Sequence, residues 1–372
     1  MTAPRFLLSG YYGFGNLGDE ALLQVIVERL RARWPGCGID VLSAQPEATA
    51  RTYAVDSTPR ADVPRVREAI ARADVVLSGG GGLLQNVTSL RSLLYYCGVI
   101  RSALRAKKPT MVFAQSIGPL DLWGRGMVRF LCGGLSAATV RDERSRALLA
   151  SLIPGTPIER TADPVFLFTP GSEPLDLAAE GIVDDGTPLV VVSVRPWSGS
   201  EGTAQALAAA VDRLAGLHGA RVAFLPLGGP PDAEASTAVI RRCASHPVLL
   251  PDYPLAQAAQ VIGRASLVIG MRLHALIIAA RLGVPFTALP YDPKVEALLE
   301  DLRYPIEPLF VPGRIAPDPR EVARRIDEAW EKRAALARHL AAIRPEVEQL
   351  AERNFDVLDE LVTRRVHNAA GR

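Results

Sequence analysis

SLVIGMRLHALIIAARL, residues 266–282, decides how the chain is read. Ser266-Leu267-Val268-Ile269 is a short apolar run that stops at Gly270, as a buried strand does. Leu273 to Leu282 is almost wholly apolar and long enough for a helix. A buried strand running straight into a helix is half of a parallel-sheet unit. Arg272 and His274 stand at the turn between the two. A helix start carries unpaired N–H groups and a partial positive charge. An arginine added there makes an anion site, and a histidine adds a group that titrates near neutrality.

The same alternation extends in both directions. Towards the N-terminus, strands are expected at Phe6–Leu8, Ile39–Leu42, Asp74–Leu77, Thr110–Gln115 and Ala138–Val140. Helices are expected at 20–34, 63–72, 88–107, 122–135 and 143–152, with Asp19 capping the first. Residues 169–186, TPGSEPLDLAAEGIVDDG, break the rhythm with Pro, Gly and acids and read as a linker. Strands resume at Leu189–Val194, Arg221–Leu225, Val248–Leu250, 266–269 and Pro285–Leu289, with helices between them and Val295–Leu302 after the last. From Pro319 the pattern is helical to Val366, with a break expected near Pro345. The chain therefore divides into a doubly wound domain (1–168), a linker (169–186), a second doubly wound domain (187–316) and a helical tail (317–372) expected to pack back across the molecule. Ligands of such sheets bind outside the carboxyl ends of the strands. Two facing domains would form one deep cleft.

Composition narrows the function. The 372 residues are 48% apolar and 22% charged, and the net charge of +2 argues against a nucleic-acid binder. Only four of the 42 basic residues are lysines: Lys107, Lys108, Lys294 and Lys332. An isolated lysine such as Lys294 therefore draws notice. Cys37, Cys97, Cys132 and Cys243 show no metal or redox spacing, which fits a reducing, cytoplasmic setting. The opening MTAPRFLLSGYYGFG does not look like a secretory signal. No run approaches the roughly 20 apolar residues of a spanning helix.

Unusual residues gather at strand ends. Gly10 to Glu20 interleaves glycines with Tyr11, Tyr12 and Phe14. Its spacing is not that of a dinucleotide fingerprint. Gly13, Phe14, Asn16 and Asp19 either let a sugar or phosphate approach the backbone or simply make a tight turn. Ser78 to Gly82 ends a strand with four glycines, including Gly80 and Gly81, and runs on to Gln85 and Asn86. Such a stretch exposes backbone amides to an anion or sugar, whereas packing alone needs one or two glycines. Gln115 begins a polar turn, QSIGP. Arg141 follows a strand and either points into the cleft or makes a surface ion pair. Arg195 follows buried valines and is read as facing a ligand. Leu227-Gly228-Gly229 reads as a plain turn.

His274 is the one histidine of five that enters an apolar helix at its start. A lone histidine there is more often packed than catalytic. Arg272 reverses that preference, because two basic groups at one positive helix end repel unless an anion joins them. The helix end also favours the neutral imidazole, ready to accept a proton. Pro290 to Val295 is another strand end, with Asp292 as cap and Lys294 beside the Arg272 turn if the strands are neighbours. There is no carboxylate pair of glycosidase type, no G-x-S-x-G elbow, no P-loop and no metal-binding pattern.

In order, GYYGFGNLGDEALL, SGGGGLLQN, QSIGP, RDERS, ADPVF, SVRPW, GMRLHALIIA and YDPKV resemble the motifs of the polysaccharide pyruvyl transferase family. They are closest to its bacterial cell-wall members, the CsaB type, over about Phe6 to Leu302. The resemblance implies a GT-B-like fold of two Rossmann-like domains. It implies phosphoenolpyruvate as donor, phosphate as product and a pyruvate ketal bridging O4 and O6 of a sugar. The implied acceptor is N-acetylmannosamine on a lipid-linked precursor, whose polymer anchors surface-layer proteins. No cofactor or metal is implied. Arg272, Leu273 and His274 fall on the Arg-Leu-His donor site, and Arg141 and Lys294 on positions of catalysis or donor binding.

A lipid-linked acceptor also implies peripheral contact with the inner face of the membrane. Trp123, Arg125, Arg129, Phe130, Arg101, Arg105, Lys107 and Lys108 are candidates for it, though ordinary amphipathic helices have the same pattern. Two rivals remain. One is a nucleotide-sugar-dependent glycosyltransferase of cell-envelope polysaccharide synthesis, which would place an acidic residue for the ribose in the second domain. The other is a glycan-binding protein without activity.

Overall fold

The computed structural model describes residues 3–87, 89–171, 175–196, 200–289, 293–309 and 318–370. The chain forms two compact units: 1–167 with 348–372, and 168–347.

The first unit alternates β1 (Arg5–Tyr12), α1 (Leu17–Arg33), β2 (Gly38–Ser43), α2 (Pro46–Tyr53), β3 (Asp56–Pro59), α3 (Val63–Arg72), β4 (Val75–Gly81), α4 (Leu90–Arg105), β5 (Thr110–Gln115), α5 (Leu122–Leu131), β6 (Ala137–Val140), α6 (Glu143–Leu152) and β7 (Ile158–Arg160). Its seven strands are parallel, in the order β3-β2-β1-β4-β5-β6-β7. Strand order reverses between β1 and β4, the place where such sheets take ligands. β4 and β5 are buried along their whole length, as strands covered on both faces are.

The sequence reading missed α2, β3 and β7. β3 and β7 are the two edge strands, and both are short and polar: Asp-Ser-Thr-Pro and Ile-Glu-Arg. Short polar edges resist pairing with another chain and leave no apolar run to detect. The cap of α1 is Asn16, not Asp19. The Asn16 carboxamide oxygen accepts from the Gly18 and Asp19 amides, and Asp19 lies within the first turn.

The second unit alternates β8 (Leu189–Ser193), α7 (Ser200–His218), β9 (Arg221–Phe224), α8 (Pro230–Ile240), β10 (Val248–Leu249), α9 (Leu255–Gly263), β11 (Leu267–Gly270), α10 (Leu273–Leu282), β12 (Phe286–Ala288) and α11 (Pro293–Asp301). Its five strands are again parallel, in the order β10-β9-β8-β11-β12, reversing between β8 and β11. The expected linker is part of this unit. Leu175 N–H donates to Gln260, Arg264 donates to the Leu175 carbonyl and Tyr253 donates to Glu180. Ser172 to Pro174 lie outside the described residues.

A last helix, α12 (Pro319–Ala370), runs through Pro345 without the expected break. Buried Leu340 and Ile343 before the proline, and Val347 and Ala351 after it, hold both flanking turns while one main-chain bond is missing. Residues 317–372 are therefore not one tail, since the contacts divide α12 between the units at Val347/Glu348. Within the first unit, Phe355 is fully buried with its ring 5.1 Å from that of Phe113. Buried Asn354 donates to the Ala162 carbonyl and accepts from the Thr161 hydroxyl at 2.8 Å. No helix among the described residues is long and apolar enough to cross a membrane.

Phe355→Ala should cost the first unit about 3–5 kcal/mol. A lowered urea midpoint by circular dichroism checks this, and an unchanged midpoint contradicts the packing.

Candidate functional site

The second unit's site is built on β8 and β11. Ser193 and Gly270 pair across the ladder, and Met271 N–H donates to the Ser193 carbonyl at 2.7 Å. Arg195 and Arg272 each follow two residues after that pair, on strands about 4.8 Å apart. Leu289 N–H donates to the Gly270 carbonyl, so the segment leading to Lys294 starts beside them. Arg272 is the N-cap of α10 in extended conformation and makes no side-chain cap bond. The helix's first amides therefore have no capping side chain.

The Arg272 guanidinium is held by Asp232, at the start of α8. Nε donates to Oδ2 at 2.7 Å, and the terminal nitrogen pairs with Oδ1. Asp232 is 0% exposed. A bidentate, buried pair fixes the plane of the guanidinium as well as its charge. Gly228 makes it possible, since a Cβ there would lie 2.1 Å from the Arg272 terminal nitrogen. The Gly228-Gly229 turn is thus clearance for this side chain. Asp252 lies by Gly229, and burial, then the Asp232 carboxylate, push its carboxyl above the ordinary value. This corrects the charge argument made from sequence. The anion that reconciles Arg272 with His274 is supplied by the protein itself.

Leu273 and His274 are the first two residues of α10, and both are half-buried. Lys294 is the second residue of α11 and half-buried. Arg195 is half-buried, its Nε donating to the Pro196 carbonyl at 3.4 Å. The proposed cap Asp292, and Trp197, lie outside the described residues. Cationic side chains of β8, β11 and α11 thus share one edge of the sheet.

In the first unit the candidates gather at the ends of β1, β4, β5 and β6. Gly13 has φ of 78° and no room for a Cβ, which would lie 2.3 Å from the Ser43 hydroxyl. Its N–H donates to Glu20, whose other oxygen accepts from Tyr53. Gly80 and Gly81 both have positive φ. A Cβ on Gly81 would lie 2.8 Å from the Asp19 carboxylate, so that glycine gives Asp19 its place. Tyr12 is buried below, donating to the Gly79 carbonyl. Burial, then Asp19 and Glu20, push its hydroxyl far above the ordinary value. Gln115 is fully buried, and its amide donates to the Ser78 carbonyl and hydroxyl. Gln85 accepts from the Val87 amide, and Asn86 accepts from the Asp121 amide at the start of α5. Gln85 and Asn86 thus brace the loop they belong to. Phe14 is exposed and stacks on Tyr11.

Arg141 is not a surface residue. It is 7% exposed, with a terminal nitrogen 2.5 Å from Asp163 and Nε donating to the Ala114 carbonyl. Ala114 has φ of 49°, at a register shift in β5. The strained residue turns its carbonyl towards Arg141. Asp163 also accepts from the Val165 amide.

Residues 16–293 match the model of the polysaccharide pyruvyl transferase family. The chain belongs to that family. Among solved structures, this polysaccharide pyruvyl transferase family member is similar to a putative UDP-N-acetylglucosamine 2-epimerase from Listeria monocytogenes. The identity is 11%, the TM-score 0.64, and 96% of this chain and 95% of that one are covered. It is also similar to a UDP-GlcNAc 2-epimerase from Neisseria meningitidis (10% identity, TM-score 0.61, 96% and 100% covered). A glycosyltransferase from Rickettsia africae is a third such structure (11%, TM-score 0.62, 96% and 99%). At these identities the likeness is one of fold, and the fold is GT-B-like with two Rossmann-like domains. No curated protein matches the sequence.

Asp232→Asn keeps the volume and removes the charge that holds Arg272. Breaking a buried pair from one side costs about 3 kcal/mol. A drop in thermal midpoint is expected, and none in an Asp232→Asn/Arg272→Met double variant beyond that of the single ones. A stability equal to the parent's would contradict the pairing.

Proposed function

We propose that this family member transfers the pyruvyl group of phosphoenolpyruvate to a sugar, forming a 4,6-linked ketal and releasing phosphate. One observation carries the donor reading: Arg195, Arg272, His274 and Lys294 stand at strand ends on one edge of a sheet, at and beside its order reversal. Phosphoenolpyruvate carries a phosphate and a carboxylate, and charge-assisted bonds suit both. Asp232 balances most of the Arg272 charge, so Arg272 orients the donor and Arg195 and Lys294 neutralise it. The first amides of α10 add a fixed partial charge.

The chemistry moves two protons. A proton reaches C3 of the enol and leaves C2 electron-poor. One sugar hydroxyl attacks C2, the bond from C2 to the phosphate oxygen breaks, and the second hydroxyl closes the ketal. One hydroxyl proton replaces that delivered to C3, and the other leaves with phosphate. His274 handles these protons, as base for a hydroxyl or acid for phosphate. Arg141 does not give up its proton. Held by Asp163, it offers a fixed hydrogen-bonding direction rather than net charge. Gly13, Phe14, Asn16, Asp19, Gly80, Gly81, Gln85, Asn86 and Gln115 form or brace the acceptor side.

The likeness to cell-wall members supports an N-acetylmannosamine of a lipid-linked precursor as acceptor, in support of surface-layer anchoring. A peripheral contact with the cytoplasmic face of the membrane goes with it. The exposed surface supports one: Leu122, Trp123 and Phe130 of α5 are largely exposed, as are Val87, Leu90 and Leu94. Asn86 joins the Val87 loop to the start of α5. Arg125 and Arg129 stand among them, as in interfacial helices. Lys108 is otherwise engaged, donating to the Ala71 and Ala73 carbonyls at the end of α3. This exposed apolar surface at the starts of α4 and α5 favours them over Lys107 and Lys108 for such a contact.

Phosphate release from phosphoenolpyruvate should require a lipid-linked disaccharide, with UDP-sugars giving none. His274→Gln should lower turnover at saturating donor by about 100-fold or more. Full turnover would remove His274 from the mechanism, and release driven by UDP-sugars would favour the glycosyltransferase. For the surface, Leu122→Glu/Trp123→Glu should abolish sedimentation with phosphatidylglycerol vesicles. Undiminished sedimentation would move the contact elsewhere.

A further inference from the structure

Beside the glycine-rich turn after β1 lies an aromatic stack that the donor chemistry does not use. Tyr11 and Phe14 lie nearly parallel, 10° apart with centroids at 4.1 Å. The Arg60 guanidinium lies 4.8 Å from the Phe14 centroid and 4.2 Å from that of Tyr95. Two groups this close over one ring must take its opposite faces. The order is therefore Tyr11, Phe14, Arg60, Tyr95. Tyr96 closes the inner end, edge-on to Tyr95, with its hydroxyl accepting from Arg60 at 3.4 Å.

The stack is built, not incidental. Strand alternation turns the neighbouring tyrosines at the end of β1 to opposite sides. Tyr12 is 1% exposed, while Tyr11 and Phe14 are 39% and 45% exposed. The Gly13 N–H bond to Glu20 fixes the turn that carries Phe14. Arg60 is placed by its own N–H on the Ser43 carbonyl. Among the described residues it makes no ion pair, and its guanidinium is met by the rings and by the Tyr96 hydroxyl.

We propose that this stack is the acceptor subsite: a pyranose ring lies on the outer face of Tyr11, and Arg60 attracts an anionic group of the same acceptor. The inference rests on the sugar-acceptor reading above and adds Tyr11, Arg60 and Tyr95 to it. An aromatic face suits the C–H face of a sugar, and stacked rings present it with little freedom left to lose. A cation held between rings keeps its reach to phosphate while it stiffens the platform. The ligand class is a hexopyranoside carrying a phosphate or diphosphate. Lipid-linked and nucleotide-linked sugars share that chemistry.

The test compares the parent with Tyr11→Ala, Tyr11→Trp and Arg60→Met, each checked for folding by circular dichroism. The ligands are a soluble short-chain lipid diphosphate disaccharide, the same disaccharide without phosphate, and UDP-N-acetylglucosamine. Tyr11→Ala should raise KM for the lipid-linked disaccharide about tenfold and leave KM for phosphoenolpyruvate unchanged, with Tyr11→Trp restoring it. Arg60→Met should weaken the diphosphate compound and not the neutral one. Saturation-transfer NMR without phosphoenolpyruvate reads binding alone. Transfer to the sugar protons that is lost in Tyr11→Ala upholds the subsite even if no pyruvyl transfer is found, in which case only the donor reading fails. Equal sugar binding or equal acceptor KM in the parent and Tyr11→Ala overturns it. Binding of UDP-N-acetylglucosamine in preference to the lipid-linked compound identifies the nucleotide-linked source.

Discussion

Every strand in both sheets runs parallel to its neighbours. Each connection must therefore cross back over the sheet, and helices carry it. Most helices then begin at the edge where strands end. That edge collects N–H groups with no partner in their own helix, and it collects turns that can hold a charge. Arg195, Arg272, His274 and Lys294 in one unit, and the glycine turns and Arg141 in the other, stand where they do because of this constraint. The middle of each strand carries none of them.

The cations on these edges are not alike. Arg272 and Arg141 are each held by a buried acid, Asp232 and Asp163. Such an arginine has a fixed direction and little net charge to offer. Arg195 and Lys294 are half-buried. Arg60 is held by rings, which restrain it without cancelling its charge. In the donor reading proposed above, an anionic ligand would meet a rigid frame from the first kind. Preorganised dipoles of this sort cost no reorganisation when charge shifts during a reaction.

Much of this was legible in the sequence, for a physical reason. A buried parallel strand is an apolar run that ends abruptly, so the residue after it stands out. Arg195, Arg272 and Gln115 were singled out that way, and the two-unit GT-B-like architecture follows from the repeated rhythm. Asp232 and Asp163 could not be found, because an ion pair between residues far apart in sequence, such as Asp232 and Arg272 at 40 residues, leaves no local pattern. Their signals were present, an acid at a helix start after Pro230-Pro231 and one inside ADPVF, but nothing named their partners. The Tyr11–Phe14 stack was half visible as alternating glycine and aromatic residues. Arg60, its third layer, follows a polar edge strand that periodicity does not detect. Pro345 misled because a missing hydrogen bond is a local loss, and the turns on both sides are packed.

The division of α12 bears on how the protein is made. The first unit consists of two stretches separated in the chain by the whole of the second. Phe355 and Asn354 fill its core from the far end of the sequence. During synthesis the first sheet is therefore complete long before the residues that cover it exist. At about 5–20 residues per second, the wait is on the order of ten seconds or more. For that interval the second unit can fold while Phe113 stays uncovered, so a nascent chain of this protein is a natural client for a chaperone.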